Sequence, residues 1–235
     1  SFVGHGGSAT CGNFTPDGRL VVTGSEDGSV RLWQPKTGTL VAQMAQKDAA
    51  ALFEVDRQVA MEPDASASGV TCLTMQESAS PETAAIATGG LDGSICLSVA
   101  NSEASTLKVV GAGARHSDSV ECLAFSKAGG LLASGGADGN LNVWDVELSR
   151  LRCTFAHSSS VVGCNFQSVL GAPANDWPYL VSSSVDGTVR VWDARSESCV
   201  RVWTGHTDAI LSMAEISGGL VASASDDHSI RVYRM

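Results

Sequence analysis

Ser182 to Asp193 reads SSSVDGTVRVWD, and this stretch decides the fold. It contains two strands and a turn. Tyr179 to Ser184 suits one strand, and Asp186-Gly187 suits a tight hairpin turn in which glycine supplies the positive φ. Thr188 to Trp192 then alternates as Thr-Val-Arg-Val-Trp, the period-2 pattern of a half-buried strand. The same unit returns as TGSEDGSVRLW at 23–33, TGGLDGSICLS at 88–98, SGGADGNLNVW at 134–144 and SASDDHSIRVY at 223–233. One hairpin occurring five times is a repeat, and a repeat sets the architecture before any single site is considered.

The turn aspartates Asp27, Asp92, Asp138, Asp186 and Asp227 serve as anchors, separated by 65, 46, 48 and 41 residues. Four residues before each anchor stands a hydroxyl: Thr23, Thr88, Ser134, Ser182 and Ser223. Six residues after it stand Trp33, Ser98, Trp144, Trp192 and Tyr233. A histidine opens four of the five units: His5, His116, His157 and His206. A repeat of roughly 40–45 residues built from four short strands is the spacing of a WD-repeat propeller blade, and Trp144-Asp145 and Trp192-Asp193 supply the dipeptide that names that family. The expected fold is all-β: a propeller of four-stranded antiparallel blades, with five WD repeats visible, as part of a seven- or eight-bladed ring.

The resemblance to WD-repeat proteins implies a buried tetrad in each blade, linking His, Ser or Thr, the turn Asp and Trp. A buried carboxylate is costly unless hydrogen-bonded. Imidazole, hydroxyl and indole N–H together supply the donors and acceptors. The implied sets are His5/Thr23/Asp27/Trp33, His116/Ser134/Asp138/Trp144, His157/Ser182/Asp186/Trp192 and His206/Ser223/Asp227 with Tyr233 in place of Trp. The second repeat departs most, with Ser66 at the histidine position and Ser98 at the tryptophan position, so a looser blade is expected there.

Blades are expected at about 4–44, 66–112, 116–156, 157–204 and 206–235, in a single domain covering 1–235. Residues 45–68 account for the long first separation and read as an exposed insertion. Smaller insertions are expected at Gln76–Thr83 and at Leu170–Pro178, the latter carrying Trp177. The last blade stops after its third strand and only Ser1-Phe2-Val3 precede the first histidine motif. The chain is therefore expected to be the C-terminal part of a longer protein whose N-terminal blades are missing.

Composition agrees with many short strands joined by tight turns: 43% apolar residues, 25 glycines and few aromatics. No apolar run approaches 18 residues, so no membrane-spanning helix is expected. No signal peptide is visible at the start. The seven cysteines form no CxxC and no zinc spacing. Cys11, Cys72, Cys122 and Cys164 look like equivalent small strand residues. A reducing compartment follows, cytoplasmic or nuclear. The net charge of −10 disfavours nucleic acid and anionic membrane and favours a basic partner.

More specific segments, GHGGSATCGNFTPDGRLVVTGSEDGSVRLWQPKTG, HSDSVECLAFSKAGGLLASGGADGNLNVWDVE and GHTDAILSMAEISGGLVASASDDHSIRVY, resemble the angio-associated migratory cell protein family, as does the degenerate ICLSVAN. That family includes a yeast chaperone that holds a basic large-subunit ribosomal protein. The resemblance thus implies a protein-binding role in ribosome assembly, with a general WD scaffold in signalling, cell migration or protein turnover as the alternative. No catalytic set emerges: each histidine except His228 has a tetrad position, and no phosphate loop or nucleophile–base pair is present. No cofactor and no metal site are expected.

Propellers of this family bind partners on one face around the central channel. The residue before each turn Asp is expected to face it, giving Glu26, Leu91, Ala137, Val185 and Asp226. So are the positions three and five after the histidine, giving Ser8, Thr10, Ser119, Glu121, Val162 and Leu211. Three acids among apolar anchors suit a basic segment, with charge guiding the encounter and buried apolar contacts holding it.

Overall fold

A computed structural model describes residues 1–46, 69–77, 83–101, 106–127, 130–148, 150–167, 179–216 and 219–235. Of the insertion expected at 45–68, Ala45 belongs to a strand and Gln46 follows it, while the rest of it and the expected loop Leu170–Pro178 with Trp177 lie outside these residues. The strands fall into five antiparallel sheets in chain order. Blade one holds β1 (Ala9–Phe14), β2 (Val21–Ser25), β3 (Ser29–Trp33) and β4 (Leu40–Ala45). Blade two holds β5 (Val70–Glu77), β6 (Thr83–Gly90), β7 (Ser94–Asn101) and β8 (Thr106–Arg115). Blade three holds β9 (Val120–Phe125), β10 (Leu131–Gly136), β11 (Asn140–Asp145) and β12 (Arg150–Ala156). Blade four holds β13 (Val161–Gln167), β14 (Tyr179–Ser184), β15 (Val189–Asp193) and β16 (Ser198–Trp203). Blade five holds three strands, β17 (Ile210–Ile216), β18 (Leu220–Ser225) and β19 (Ile230–Arg234).

The described chain divides into two compact units, residues 1–120 and 121–235. The first contains blades one and two, the second blades three to five. Blade two, expected to be looser for its missing His and Trp, is a complete four-stranded sheet. Its strands run eight to ten residues, and β5 and β6 pair up to Glu77↔Ala84, consuming part of the expected Gln76–Thr83 insertion.

Why the middle strands read VVTGS, LLASGG and YLVSSS follows from their position. Packing of β2 against β5, of β10 against β13 and of β14 against β17 goes with their burial: β10 is buried throughout and β2 and β14 nearly so. Small residues let the sheets approach. At Gly24 an added Cβ would lie 2.6 Å from Val70 Cγ1 of the next blade and 2.7 Å from Cys11 Sγ of its own. At Gly135 it would lie 2.6 Å from both Val161 Cγ1 and Cys122 Sγ. Gly89 is enclosed in the same way by Val120 and Cys72. These are close-packed seams in which one extra methyl must displace its neighbours. Alternation in β3 sends Val30 and Leu32 into a core with Leu20, Val22, Val70 and Ile86, while Phe155 stacks on Trp192 at 4.8 Å in the core of the second unit.

The register corrects one reading of the cysteines. Cys11 pairs Gly24 and Cys72 pairs Gly89, but in blade four it is Gly163 that pairs Ser183, and Cys164 pairs Ser182. Blade four thus exchanges the two partners: glycine stands on the first strand and the larger side chain on the second. Cys164 is one position out of phase with Cys11 and Cys72.

Candidate functional site

Each turn aspartate closes its own hairpin first. The amide of the residue two further on donates to its Oδ1: Ser29, Ser94, Asn140, Thr188 and Ser229, all at 2.9–3.0 Å. The residue between adopts φ near +75° and is glycine in four blades; in blade five it is His228 at φ 63°.

In blade one His5 Nε2 lies 2.7 Å from Thr23 Oγ1, which also accepts from Trp33 Nε1 at 2.7 Å. His5 Nδ1 lies 3.3 Å from Asp27 Oδ2. Blade four repeats the set, with His157 Nε2 to Ser182 Oγ at 2.7 Å, Trp192 Nε1 to Ser182 Oγ at 2.7 Å and His157 Nδ1 to Asp186 Oδ2 at 3.2 Å. The donors fix the tautomer. Indole can only donate and carboxylate can only accept, so Nδ1 carries the proton toward Asp and Nε2 accepts from the hydroxyl. A neutral ring fits the direction of the His157 pKa, which burial pushes below the usual histidine value against the opposing pull of Asp186. Asp186 is held well below the ordinary carboxylate range. Desolvation acts upward on it, but the hydroxyl and amide of Thr188, with His157 and Ser158, outweigh that. Asp27 behaves likewise through Ser29, Gly6 and His5.

Blade three shows Trp144 Nε1 donating to Ser134 Oγ at 2.7 Å and the Asn140 amide bonded to Asp138. His116 belongs to the first unit and is buried there. In blade five His206 joins Ser223 at 2.7 Å and Asp227 at 2.8 Å. Tyr233 does not take the indole's part. Its ring stacks on Trp203 at 4.9 Å, and its hydroxyl is buried without a partner among the described residues.

Blade two carries a residue that sequence spacing missed. Gln46 is buried, its Oε1 accepts from Thr88 Oγ1 at 2.7 Å and its Nε2 donates to the Thr88 carbonyl at 3.3 Å. Its backbone amide bonds the carbonyl of Gly28 as that of His116 bonds Gly93 and that of His157 bonds Gly139. Gln46 therefore occupies the histidine position, and Ser66 lies outside the described residues. Counting back from Asp92 failed because an insertion follows this position instead of preceding it. A polar residue directly after the outer strand was the available signal. Ser98, at the tryptophan position, is buried, and its hydroxyl has no partner among the described residues.

The candidate face is built on two repeated devices. The amide of the residue before the turn Asp donates to the carbonyl of the position three after the histidine: Glu26 to Ser8, Leu91 to Gly69, Val185 to Ser160 and Asp226 to Ala209. This holds the two series side by side within each blade. The position five after the histidine is an unpaired bulge residue, as the register skips Thr10, Thr71, Val162 and Leu211. A bulge re-aims one side chain without ending the pairing.

Within the first unit Glu26, Ser8 and Leu91 are exposed, and Gly69 separates Glu26 from Leu91 with no room for a side chain. In the second unit Glu121, Val185, Leu211 and Asp226 are exposed and Val162 is half-buried. Two expected positions are turned to other uses. Ser119 is buried, and at the equivalent position Ser160 directs its hydroxyl to the Ala137 carbonyl. The Thr10 hydroxyl donates to the carbonyls of Gly24 and of Val70 in the next blade, at 3.2 and 2.6 Å. Thr71 does the same to Gly89 and Val120. These two bulge threonines join blades.

Among the described residues no cluster suits a metal ion, and no helix is long and apolar enough to cross a membrane. The family pattern described as WD domain, G-beta repeat matches residues 1–34, 107–145, 149–193 and 197–234. The unmatched interval 35–106 includes Gln46 and Ser98. The chain is 29% identical to angio-associated migratory cell protein of Homo sapiens and of Canis lupus familiaris, over 99% of its own length and 50% of theirs. It spans about half the length of these curated relatives. Among solved structures it is similar to the WD40 repeats of RRP9, with TM-score 0.74 and 25% identity over 99% of this chain and 62% of that one. The structure of U3-55K gives 0.72 and 24% over 99% and 63%. Repeat grammar, hairpin geometry and these likenesses agree: the chain belongs to the WD-repeat family and is built of β-propeller blades.

Proposed function

We propose that this chain is part of a non-enzymatic propeller that holds a basic protein client, of the kind a large-subunit ribosomal protein represents, in the cytoplasm or nucleus. Its five blades are taken as one domain of a larger ring. The observation that carries the proposal is the recurrence of an exposed acid, Glu26 and Asp226, at one turn position, set by the same backbone bond in a chain of net charge −10. Exposed Leu91, Val185 and Leu211 supply apolar anchors. Charge would speed the encounter and the apolar contacts would slow release.

Affinity capture from lysate with the full-length gene product, at low and high salt, tests the reading. One basic ribosomal protein should be enriched at low salt, released at high salt and lost when Glu26, Glu121 and Asp226 are all changed to Lys. Retention by that variant would remove the assignment. The exposed apolar positions favour a second reading, a general scaffold in signalling, cell migration or protein turnover. That reading predicts several partners whose capture is insensitive to salt.

A further inference from the structure

A cavity of about 370 Å³ lies in the second unit, lined by Arg150, Leu151, Arg152, Ala194, Arg195 and Glu197. It opens between the outer strand of blade three and the turn joining β15 to β16. Antiparallel order puts this at the end of the strands opposite the turn aspartates, away from the candidate face. Three guanidiniums against one carboxylate give the lining an excess of positive charge in a chain with 15 Lys and Arg against 25 Asp and Glu. Asp145 stands 3.8 Å from Arg152 and the Asp193 carboxylate interacts with Arg195, and both offset part of that excess.

The fold does not require these cations. The outer strands of blades one, three and four share one bulge, skipping Val41, Arg152 and Val200 respectively. At the matched positions blade one has Thr39, Leu40 and Val41, and blade four has Ser198, Cys199 and Val200. The same backbone therefore accepts neutral side chains, and only blade three of these places arginines on both sides of an exposed leucine, Leu151.

We propose that this cavity binds a phosphorylated peptide segment, with the phosphate on the guanidiniums and a neighbouring apolar residue against Leu151. Guanidinium forks match phosphate oxygens in bidentate pairs, and a dianion rewards several of them at once where a carboxylate offers one charge. A long polyanion is disfavoured, because its charge extends past the cavity onto an acidic chain, whereas a short peptide feels the local field within a Debye length of roughly 8 Å.

Fluorescence anisotropy with a labelled Gly-Leu-phosphoserine-Leu-Gly peptide, its unphosphorylated twin and a single-stranded RNA oligonucleotide tests this on the full-length protein. The phosphorylated peptide should bind at least about tenfold tighter than its twin, as charge-assisted hydrogen bonds imply. Inorganic phosphate should compete. Arg150→Ala with Arg195→Ala should abolish the preference in a variant that stays folded by circular dichroism, and Leu151→Ser should weaken the phosphorylated peptide. Equal affinity for the two peptides, no binding of either, or an unchanged preference in the arginine variant overturns the proposal. Tighter binding of the RNA than of the phosphopeptide, lost in the same variant, overturns it in favour of a nucleic-acid site. Client capture through Glu26, Glu121 and Asp226 is read separately and does not depend on these arginines.

Discussion

Gln46 Oε1 accepts a 2.7 Å hydrogen bond from the hydroxyl of Thr88, and both residues are buried. A blade without its histidine keeps the middle strand's hydroxyl satisfied through an amide. Gln46→Leu retains the volume and removes the partner, leaving the Thr88 hydroxyl without it. The expected loss is about 1–3 kcal/mol, read from urea unfolding. An unchanged midpoint would show that the Thr88 hydroxyl finds another acceptor.

Tyr233 offers the opposite case. Its hydroxyl is buried with no partner among the described residues, while its ring stacks on Trp203. Tyr233→Phe keeps the ring and deletes the uncompensated group, so stability should hold or rise by up to about 1 kcal/mol. Trp192→Phe, which removes a bond to Ser182, should instead lower it. Equal losses in the two variants would mean that Tyr233 does have a bonded partner.

His228 holds φ 63° where four other blades place glycine. Left-handed backbone costs an L-residue roughly 1–2 kcal/mol. His228→Gly should therefore raise the unfolding midpoint, partly offset by the greater freedom of glycine in the unfolded chain. A lower midpoint would reveal a stabilising contact of the imidazole.

Gly135 sits in a seam between Cys122 and Val161, whereas Gly130 has nothing within 4 Å of an added Cβ. Gly135→Ala should destabilise by about 1–3 kcal/mol through overpacking. Gly130→Ala should be near neutral. Similar thermal midpoints for the two variants would contradict the close packing of the seam.

Acid should weaken the fold in two stages. The His157 pKa is lowered by burial, so its unfolded ring takes up a proton near pH 6.5 while the folded ring does not. That contribution is present above pH 6.5 and is lost as the pH falls through the folded value. Asp27, Asp186 and Asp227 are held below the ordinary carboxylate range. Their contribution is present above about pH 4 and is lost as the pH falls further. Urea midpoints should decline between pH 7 and 5 and again below pH 4, and His157→Gln should flatten the first decline.

The hairpins were legible because their constraint is local: an acid, a glycine and a hydroxyl within a few residues determine a turn wherever they occur. What spacing could not reveal was where a chain gains or loses one residue. Bulges at Thr10, Thr71, Val162 and Leu211 skip one residue at the same place in each strand, and Cys164 is out of phase because it stands seven residues after His157 where Cys11 stands six after His5. A longer insertion hid Gln46. Burial of Ser119 and the use of Thr10 depend on neighbouring blades, contacts that no single repeat encodes.

The bulge position has a consequence for how such a chain diversifies. Because the ladder passes over that residue, strand pairing places no demand on its side chain. In blades four and five it holds Val162 and Leu211, and descendants can exchange these for other chemistry while the sheet beneath keeps its order. In blades one and two the same position is tied by threonine hydroxyls to the adjoining blade. The position is therefore open to substitution in the blades of Val162 and Leu211 and tied to assembly in those of Thr10 and Thr71.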